Sequence, residues 1–158
     1  MTGLLISDLR DRPAYADAVA RRIWAAFWRH KDVPLADIRA GIARHMEADG
    51  LPFTLVAEQG GDVCGTVSVI ASDEPARLDL TPWIAALWVD EDARGRGVAR
   101  ALLQDAAGRC RALGVETLFL TARPALRGFY ERLGWRAIDD DIGPAKLIVF
   151  EKAVASDA

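Results

Sequence analysis

The sequence predicts a mixed α/β or α+β fold, and three observations predict it. Amphipathic runs with helical spacing alternate with short apolar runs of strand length. Gly60-Gly61-Asp62, between two apolar runs, is a hairpin signal and argues for antiparallel pairing there. Trp83–Arg100, WIAALWVDEDARGRGVAR, reads as a strand, a glycine-bearing loop and a helix N-terminus. A chain of 158 residues is expected to form one domain, 1–158, around one sizeable core.

The elements follow in order. Leu4–Leu9 reads as a strand, ended by Arg12-Pro13. Ala14–His30 is helical in period, with Tyr15, Val19, Ile23, Phe27 and His30 on one face. Pro34 suits the first turn of a second helix, Leu35–Glu47, whose stripe is Leu35, Ile38, Ile42 and Met46; Gly50 is its expected stop. Phe53–Glu58 and Val63–Ala71 flank the hairpin turn, and Ser72–Pro82 is a polar loop. Trp83–Val89 is the next strand. The helix after the glycine loop carries Val98, Leu102, Ala106, Cys110 and Leu113 on one stripe and stops at Gly114. Val115–Thr121 follows as a strand, and its unbroken Leu118-Phe119-Leu120 argues for burial on both faces. Pro124 starts a last helix with Leu126, Phe129, Tyr130 and Leu133 facing inward, ended by Gly134. Trp135–Ile138 and Lys146–Glu151 are the final strands, and the tail Ala153–Ala158 is expected to fray.

Composition excludes several classes. The net charge of −3, without a Lys/Arg block, argues against nucleic-acid binding. No apolar run approaches the roughly 20 residues of a membrane span, and no signal peptide is visible. A cytoplasmic protein is the default expectation. Cys64 and Cys110 read as small buried residues, and His30 and His45 lack partners at metal spacing, so no metal site is expected.

The chemistry concentrates in the strand–loop–helix junction. A helix N-terminus offers unpaired backbone N–H groups and the positive end of its dipole to an anion. Gly95 and Gly97 let the backbone approach closely, and Arg94, Arg96 and Arg100 add charge. The segment therefore reads as a site for a phosphorylated ligand. It is not a P-loop, because Val98 and Ala99 follow Gly97 instead of Lys and Ser or Thr. Nor is it a dinucleotide fingerprint, because Arg100 stands where the third glycine is needed.

What fits is R-x-x-G-x-A at Arg94, Gly97 and Ala99, followed downstream by Phe129-Tyr130-Glu131-Arg132-Leu133-Gly134-Trp135. With these two motifs in this order, the chain resembles the GNAT superfamily of N-acetyltransferases, whose signature is Q/R-x-x-G-x-G/A and whose FYxxxGF segment here ends in Trp135. The likeness covers Leu55 to Phe150 well. It implies an α+β acyl-CoA N-acyltransferase fold: a mostly antiparallel mixed sheet of six to seven strands, about four helices, and splayed strands at the acetyl-CoA slot.

The resemblance also implies acetyl-CoA as donor and a primary amine of a small molecule or peptide as acceptor. The pyrophosphate would lie on the N–H groups of Arg96, Gly97, Val98, Ala99 and Arg100, after Arg94 and Gly95. The pantetheine arm would pair with the strand at Leu87, Trp88 and Val89, through backbone groups of Leu87 and Val89. Tyr130 would act as general acid on the leaving thiolate; the competing reading is a buried tyrosine whose hydroxyl only finds a partner. Thr121 replaces an asparagine that bonds the pantetheine arm in many relatives. Arg127 is a candidate for the 3′-phosphate, or else an exposed helix arginine. Many relatives carry a Glu early in the strand before the loop, and this chain has none. Asp79 is the candidate base, although a solvated loop acid is the better reading of it. Trp24, Phe27, Trp28, Trp83 and Trp88 read mainly as core, with Trp28 and Trp83 as alternative cleft residues. Homodimers are common in the family. The rival function is a module of the same fold that holds acyl-CoA with weak catalysis.

Overall fold

The computed structural model describes residues 3–154. It contains seven strands: β1 (Leu4–Asp8), β2 (Phe53–Gln59), β3 (Asp62–Ile70), β4 (Trp83–Val89), β5 (Thr117–Ala122), β6 (Arg136–Ile142) and β7 (Leu147–Ala153). The helices are α1 (Ala16–Ile23), α2 (Leu35–Glu47), α3 (Val98–Ala112) and α4 (Arg127–Arg132). The sheet order is β1-β2-β3-β4-β5-β7-β6. Pairing is antiparallel for β1–β2, β2–β3, β5–β7 and β6–β7, and parallel for β4–β5. This is the mixed, mostly antiparallel α+β sheet that the motifs imply. The chain divides into two compact units, Met1–Val69 with Ala86–Ala106, and Ile70–Ala85 with Ala107–Ala158.

In the first unit, α1 and α2 bury Val19, Ala20, Ile23 and Ile42 on Val56 of β2, with Val63 and Ala86 packed against the same cluster. The expected stripe holds at Tyr15, Phe27, Ile38 and Met46, which join that cluster. His30 is exposed instead. The expected single helix Ala14–His30 is broken: α1 gives way to a wide π turn at Trp24–Trp28, then a tight turn at Arg29–Lys31 and a left-handed Asp32. Trp24 is anchored here, its indole N–H donating to Val33 O at 2.7 Å. Helical spacing cannot register such a change of pitch. Pro34 precedes α2 as its capping residue, and the helix ends at an extended Ala48, two residues before Gly50.

Buried polar groups here are paired. Glu58 accepts from the Tyr15 hydroxyl. His45 Nδ1, Thr54 Oγ1 and Ser68 Oγ form a chain with 2.8 Å links. On β3, Gly65 meets a different demand. A Cβ there would lie 3.0 Å from Trp88 O, 3.2 Å from Leu102 Cδ1 and 3.3 Å from Val98 Cγ1. Only glycine lets β4 and the first turns of α3 come this close.

The second unit is built on Trp83, Phe119 and Val149, with Ile70, Leu80, Ile138 and Ile142 around them. Trp83 is wholly buried and donates its indole N–H to Leu80 O at 2.7 Å, which makes it a core residue. Leu118, Phe119 and Leu120 are all buried. Gly114, at φ +87°, ends α3, and Val115 N–H reaches back to Cys110 O at 3.0 Å, so β5 starts two residues later than expected. Leu113 falls in that closing turn and is exposed. Leu126 is exposed too, because Pro124–Leu126 forms a three-residue-per-turn segment whose phase differs from that of α4. β6 is longer than Trp135–Ile138, since its acidic run Asp139-Asp140-Asp141 hides an edge strand. Ala153 ends β7 and Val154 is buried; the rest of the tail expected to fray, residues 155–158, lies outside the described residues. Cys64 and Cys110 are buried free thiols. No described helix is long and apolar enough to cross a membrane.

Replacing Gly65 by Val drives two methyl groups into Trp88 O and the α3 side chains. Its unfolding free energy, from urea titration, is expected to fall by about 2 kcal/mol, as for other overpacked sites.

Candidate active site

The glycine loop begins where β4 ends. Val89 is buried, and Glu91–Ala93 form a single tight turn closed by Ala93 N–H on Asp90 O at 2.9 Å. Gly95 and Gly97 then take left-handed φ values of +77° and +82°. Those two inversions bring the chain round into α3 at Val98. A Cβ at either glycine would meet nothing within 4 Å, so their backbone faces open space. Any L side chain would instead be strained there by its φ. Val98 is buried and fixes the helix start, while Ala99 is half-buried.

The arginines divide into two kinds. Arg94 donates Nε–H to Val89 O at 2.9 Å and lays its guanidinium 4.6 Å from the centre of the Trp88 ring. Arg96 and Arg100 are exposed, and their side chains form no ion pair or hydrogen bond among the described residues. Beside the loop's first residue lies the Asp90 carboxylate, half-buried. It accepts from Arg22 Nε and Nη2 and from Trp88 Nε1, each at 2.9 Å. Partial burial works to raise the Asp90 pKa, but the Arg22 and Trp88 hydrogen bonds and the nearby guanidinium charges outweigh it and hold the carboxyl below its ordinary value.

Within β4, Ala86 adopts φ +54°, a left-handed conformation rare for a residue with a Cβ. Such a residue interrupts the strand ladder and turns peptide groups out of it. Leu87 follows at once and is half-buried, as is Trp88. β4 pairs in parallel with β5 at Trp83 and Phe119.

Tyr130 lies on α4, and its ring is 7% exposed. It packs edge-on against Phe129 and Trp135, with centroids at 5.0 and 6.4 Å, and against Phe150 at 5.5 Å. Its hydroxyl has no hydrogen-bond partner among the described residues. It is nevertheless reachable from open space, since no sealed-off side-chain polar atom there lacks a partner. Burial pushes the phenol up to about 12, so it carries its proton throughout the physiological range. The hydroxyl is thus a positioned donor without an acceptor.

Other expected site residues sit as follows. Asp79 is exposed and held by Arg77, whose Nε and Nη2 each donate to it at 3.1 Å. The Arg77 hydrogen bonds lower its pKa, which weakens it as a base. Arg77 also reaches Asp139 of β6 at 3.0 Å, tying the loop to that strand. Thr121 is half-buried on β5, in register with Val149. Arg127 pairs with Glu131 at 3.3 Å and, with Ala137, Ile138, Asp139 and Asp140, lines a cavity of about 350 Å³. Trp28 is 38% exposed beneath the Lys31 ammonium. Sequence reasoning missed Arg22, Gly65, Ala86 and Arg77. Arg22 had no local signal, its partner being 68 residues away.

A family model described as an acetyltransferase (GNAT) domain matches residues 52–137, which include both the glycine loop and Tyr130. The chain belongs to the GNAT acetyltransferase family. Solved structures agree on the fold. A GNAT-family acetyltransferase from Streptococcus pneumoniae superposes with a TM-score of 0.70 at 18% identity, covering 95% of this chain and 98% of that one. An aminoglycoside 6′-N-acetyltransferase complexed with coenzyme A gives 0.76 at 14% identity, covering 98% and 99%. An acyl-CoA N-acyltransferase from Pseudomonas aeruginosa gives 0.67 at 18% identity, covering 95% and 98%. No curated protein matches the chain.

The lowered Asp90 pKa carries a pH signature. A carboxylate held below its unfolded value contributes stability that is present above about pH 4 and lost as pH falls through its native value. Asp90→Asn is therefore expected to lower the urea midpoint at pH 7. The gap to the wild type closes as both are titrated towards pH 2.5.

Proposed function

We propose that this protein is an N-acetyltransferase that moves an acetyl group from acetyl-CoA to a primary amine of a small molecule or peptide by direct attack. The observation that carries this reading is the open anion loop: two left-handed glycines facing empty space, two unpaired arginines and a helix N-terminus, at the positions of the family signature. Backbone N–H groups of Arg96 to Arg100 then bind the pyrophosphate. The interrupted stretch of β4 at Ala86–Val89 presents peptide groups to the pantetheine arm.

In this reading Tyr130 is the general acid. As the amine attacks the thioester carbon, the C–S bond breaks and negative charge gathers on sulfur. The Tyr130 hydroxyl donates to that sulfur and the thiol leaves protonated, while the attacking nitrogen gives up its proton to solvent water and a solvent proton restores the phenol. The absence of any competing acceptor supports this role over that of a structural tyrosine. Fit to a cationic amine comes from the acidic loop, although Asp79 and Glu74 have local partners in Arg77 and Ala76 N–H.

A second reading has one observation in its favour. The only carboxylate proposed as base, Asp79, is exposed and paired with an arginine. A coenzyme-A-holding module with weak turnover fits that weakness.

Two measurements test the pair. Acetyl-CoA near a hundred times its Kd is expected to stabilise the fold by about 2.7 kcal/mol, read as a rise in Tm, while ATP and NAD leave Tm unchanged. Failure of acetyl-CoA to shift Tm removes both readings. In a thiol-release assay with an amine panel, Tyr130→Phe is expected to cut kcat roughly 100-fold with little change in coenzyme A affinity. An equal kcat assigns Tyr130 to the core, and no turnover in the wild type leaves the module.

A further inference from the structure

We infer that Arg22, on α1, is a positioning residue for the donor-binding loop, and that Arg94 acts with it as a prop for that loop, leaving the charge on the phosphates to Arg96 and Arg100. The inference rests on the donor site proposed above, and it adds a residue that lies outside the glycine motif altogether.

The argument starts from what each guanidinium touches. Arg22 makes four hydrogen bonds: two to Asp90 at 2.9 Å, one to Val63 O at 3.0 Å and one to Ala18 O at 3.1 Å. It is thereby fixed to its own helix, to β3 and to the first residue after β4. Asp90 takes the Trp88 indole N–H on the same oxygen that accepts Arg22 Nε. The indole so held supports Arg94 on its face, and Arg94 in turn bonds Val89 O. Asp90 N–H completes the frame on Cys64 O at 2.8 Å. The four side chains thus form one continuous network around the residues from which the loop departs.

This geometry assigns different work to different cations. A planar guanidinium bound at both ends of a carboxylate fixes orientation as well as distance. Arg22 commits all three of its guanidinium nitrogens inside the protein, and Arg94 commits its Nε–H to Val89 O and its flat face to Trp88. Arg96 and Arg100 have no side-chain donor committed; Arg96 stands between the two glycines and Arg100 is the third residue of α3. A loop with two left-handed glycines is intrinsically mobile, because glycine has the most backbone freedom to lose. Holding its entry residues rigid reduces the ordering that a phosphate must impose when it binds.

The two roles have separable signatures. A residue acting through its own charge sets the salt dependence of binding, since exposed charges are screened. A residue acting through loop geometry changes affinity at every salt concentration alike. The experiment is calorimetric titration of the full chain with coenzyme A, between low and high salt, for the wild type, Arg22→Gln, Arg100→Gln and Trp88→Phe. Arg22→Gln is expected to weaken coenzyme A about tenfold at all salt concentrations. Arg100→Gln is expected to weaken it mainly at low salt and to flatten the salt dependence. Trp88→Phe keeps the stacked ring and removes only the indole N–H, so it probes the same network if Arg22→Gln fails to fold; it is expected to weaken coenzyme A with the salt dependence intact.

Wild-type binding with the affinities of Arg22→Gln and Trp88→Phe unchanged, both being folded, overturns this inference and leaves the donor site standing. So does a loss of salt dependence in either of them. Absence of coenzyme A binding by the wild type overturns the donor site, and this inference with it.

Discussion

The close approach at Gly65 is the constraint on which the first unit depends. With no Cβ there, β3 can lie against the carbonyl of Trp88 and under Val98 and Leu102 of α3. Val98 is the first residue of α3 and Trp88 is two residues before Asp90. The same contact therefore fixes both ends of the segment that connects strand to helix. Between Trp88 and Val98 the chain must turn from strand into helix within nine residues, and two left-handed glycines are the means of doing so. The shape of the glycine loop is a consequence of packing.

Side-chain electrostatics then sort the charges that packing brings together. Asp90 is partly withdrawn from water, which alone disfavours its ionised form. Arg22 and Trp88 reverse that preference by supplying three hydrogen bonds, and the carboxylate stays ionised as an internal anchor. Asp90 thus turns both oxygens to Arg22 and Trp88, while Arg96 and Arg100 stay exposed on the loop beside the helix N-terminus.

How much of this was legible depends on the range over which each signal acts. β4, α2, the hairpin turn and the glycine loop follow from local periodicity and turn chemistry, and their limits fall within a residue or two of those expected. Motif order carried the family, because a signature and its companion segment are both short and contiguous. The π turn after Ile23 was not legible: Trp24 and Phe27 keep the spacing of a regular helix, and only the backbone bond from Arg29 N–H to Trp24 O, five residues back, reveals the change of pitch. β6 was shortened by its acidic run, since an edge strand need not alternate. Arg22 and Ala86 were invisible for a deeper reason. One depends on a partner far along the chain and the other on a φ value that alanine rarely takes, and neither leaves a trace in composition or period.

The environment of Tyr130 bears on whether a phenol this weakly acidic suits the proposed step. A free thiol ionises near pH 8.5, so in water a phenol held at about 12 would not protonate its thiolate. The cause of the shift resolves the mismatch. Tyr130 is raised by desolvation among Phe129, Trp135 and Phe150, and desolvation raises a thiolate's proton affinity in the same sense. In the proposed step, a sulfur leaving carbon beside these rings would become more basic, towards the phenol. A hydroxyl that already carries its proton and has no other acceptor can then donate without first breaking a bond. What the aromatic packing withholds from Tyr130 as an acid in water it also withholds from the thiolate as a stable anion, and the two effects bring donor and acceptor together.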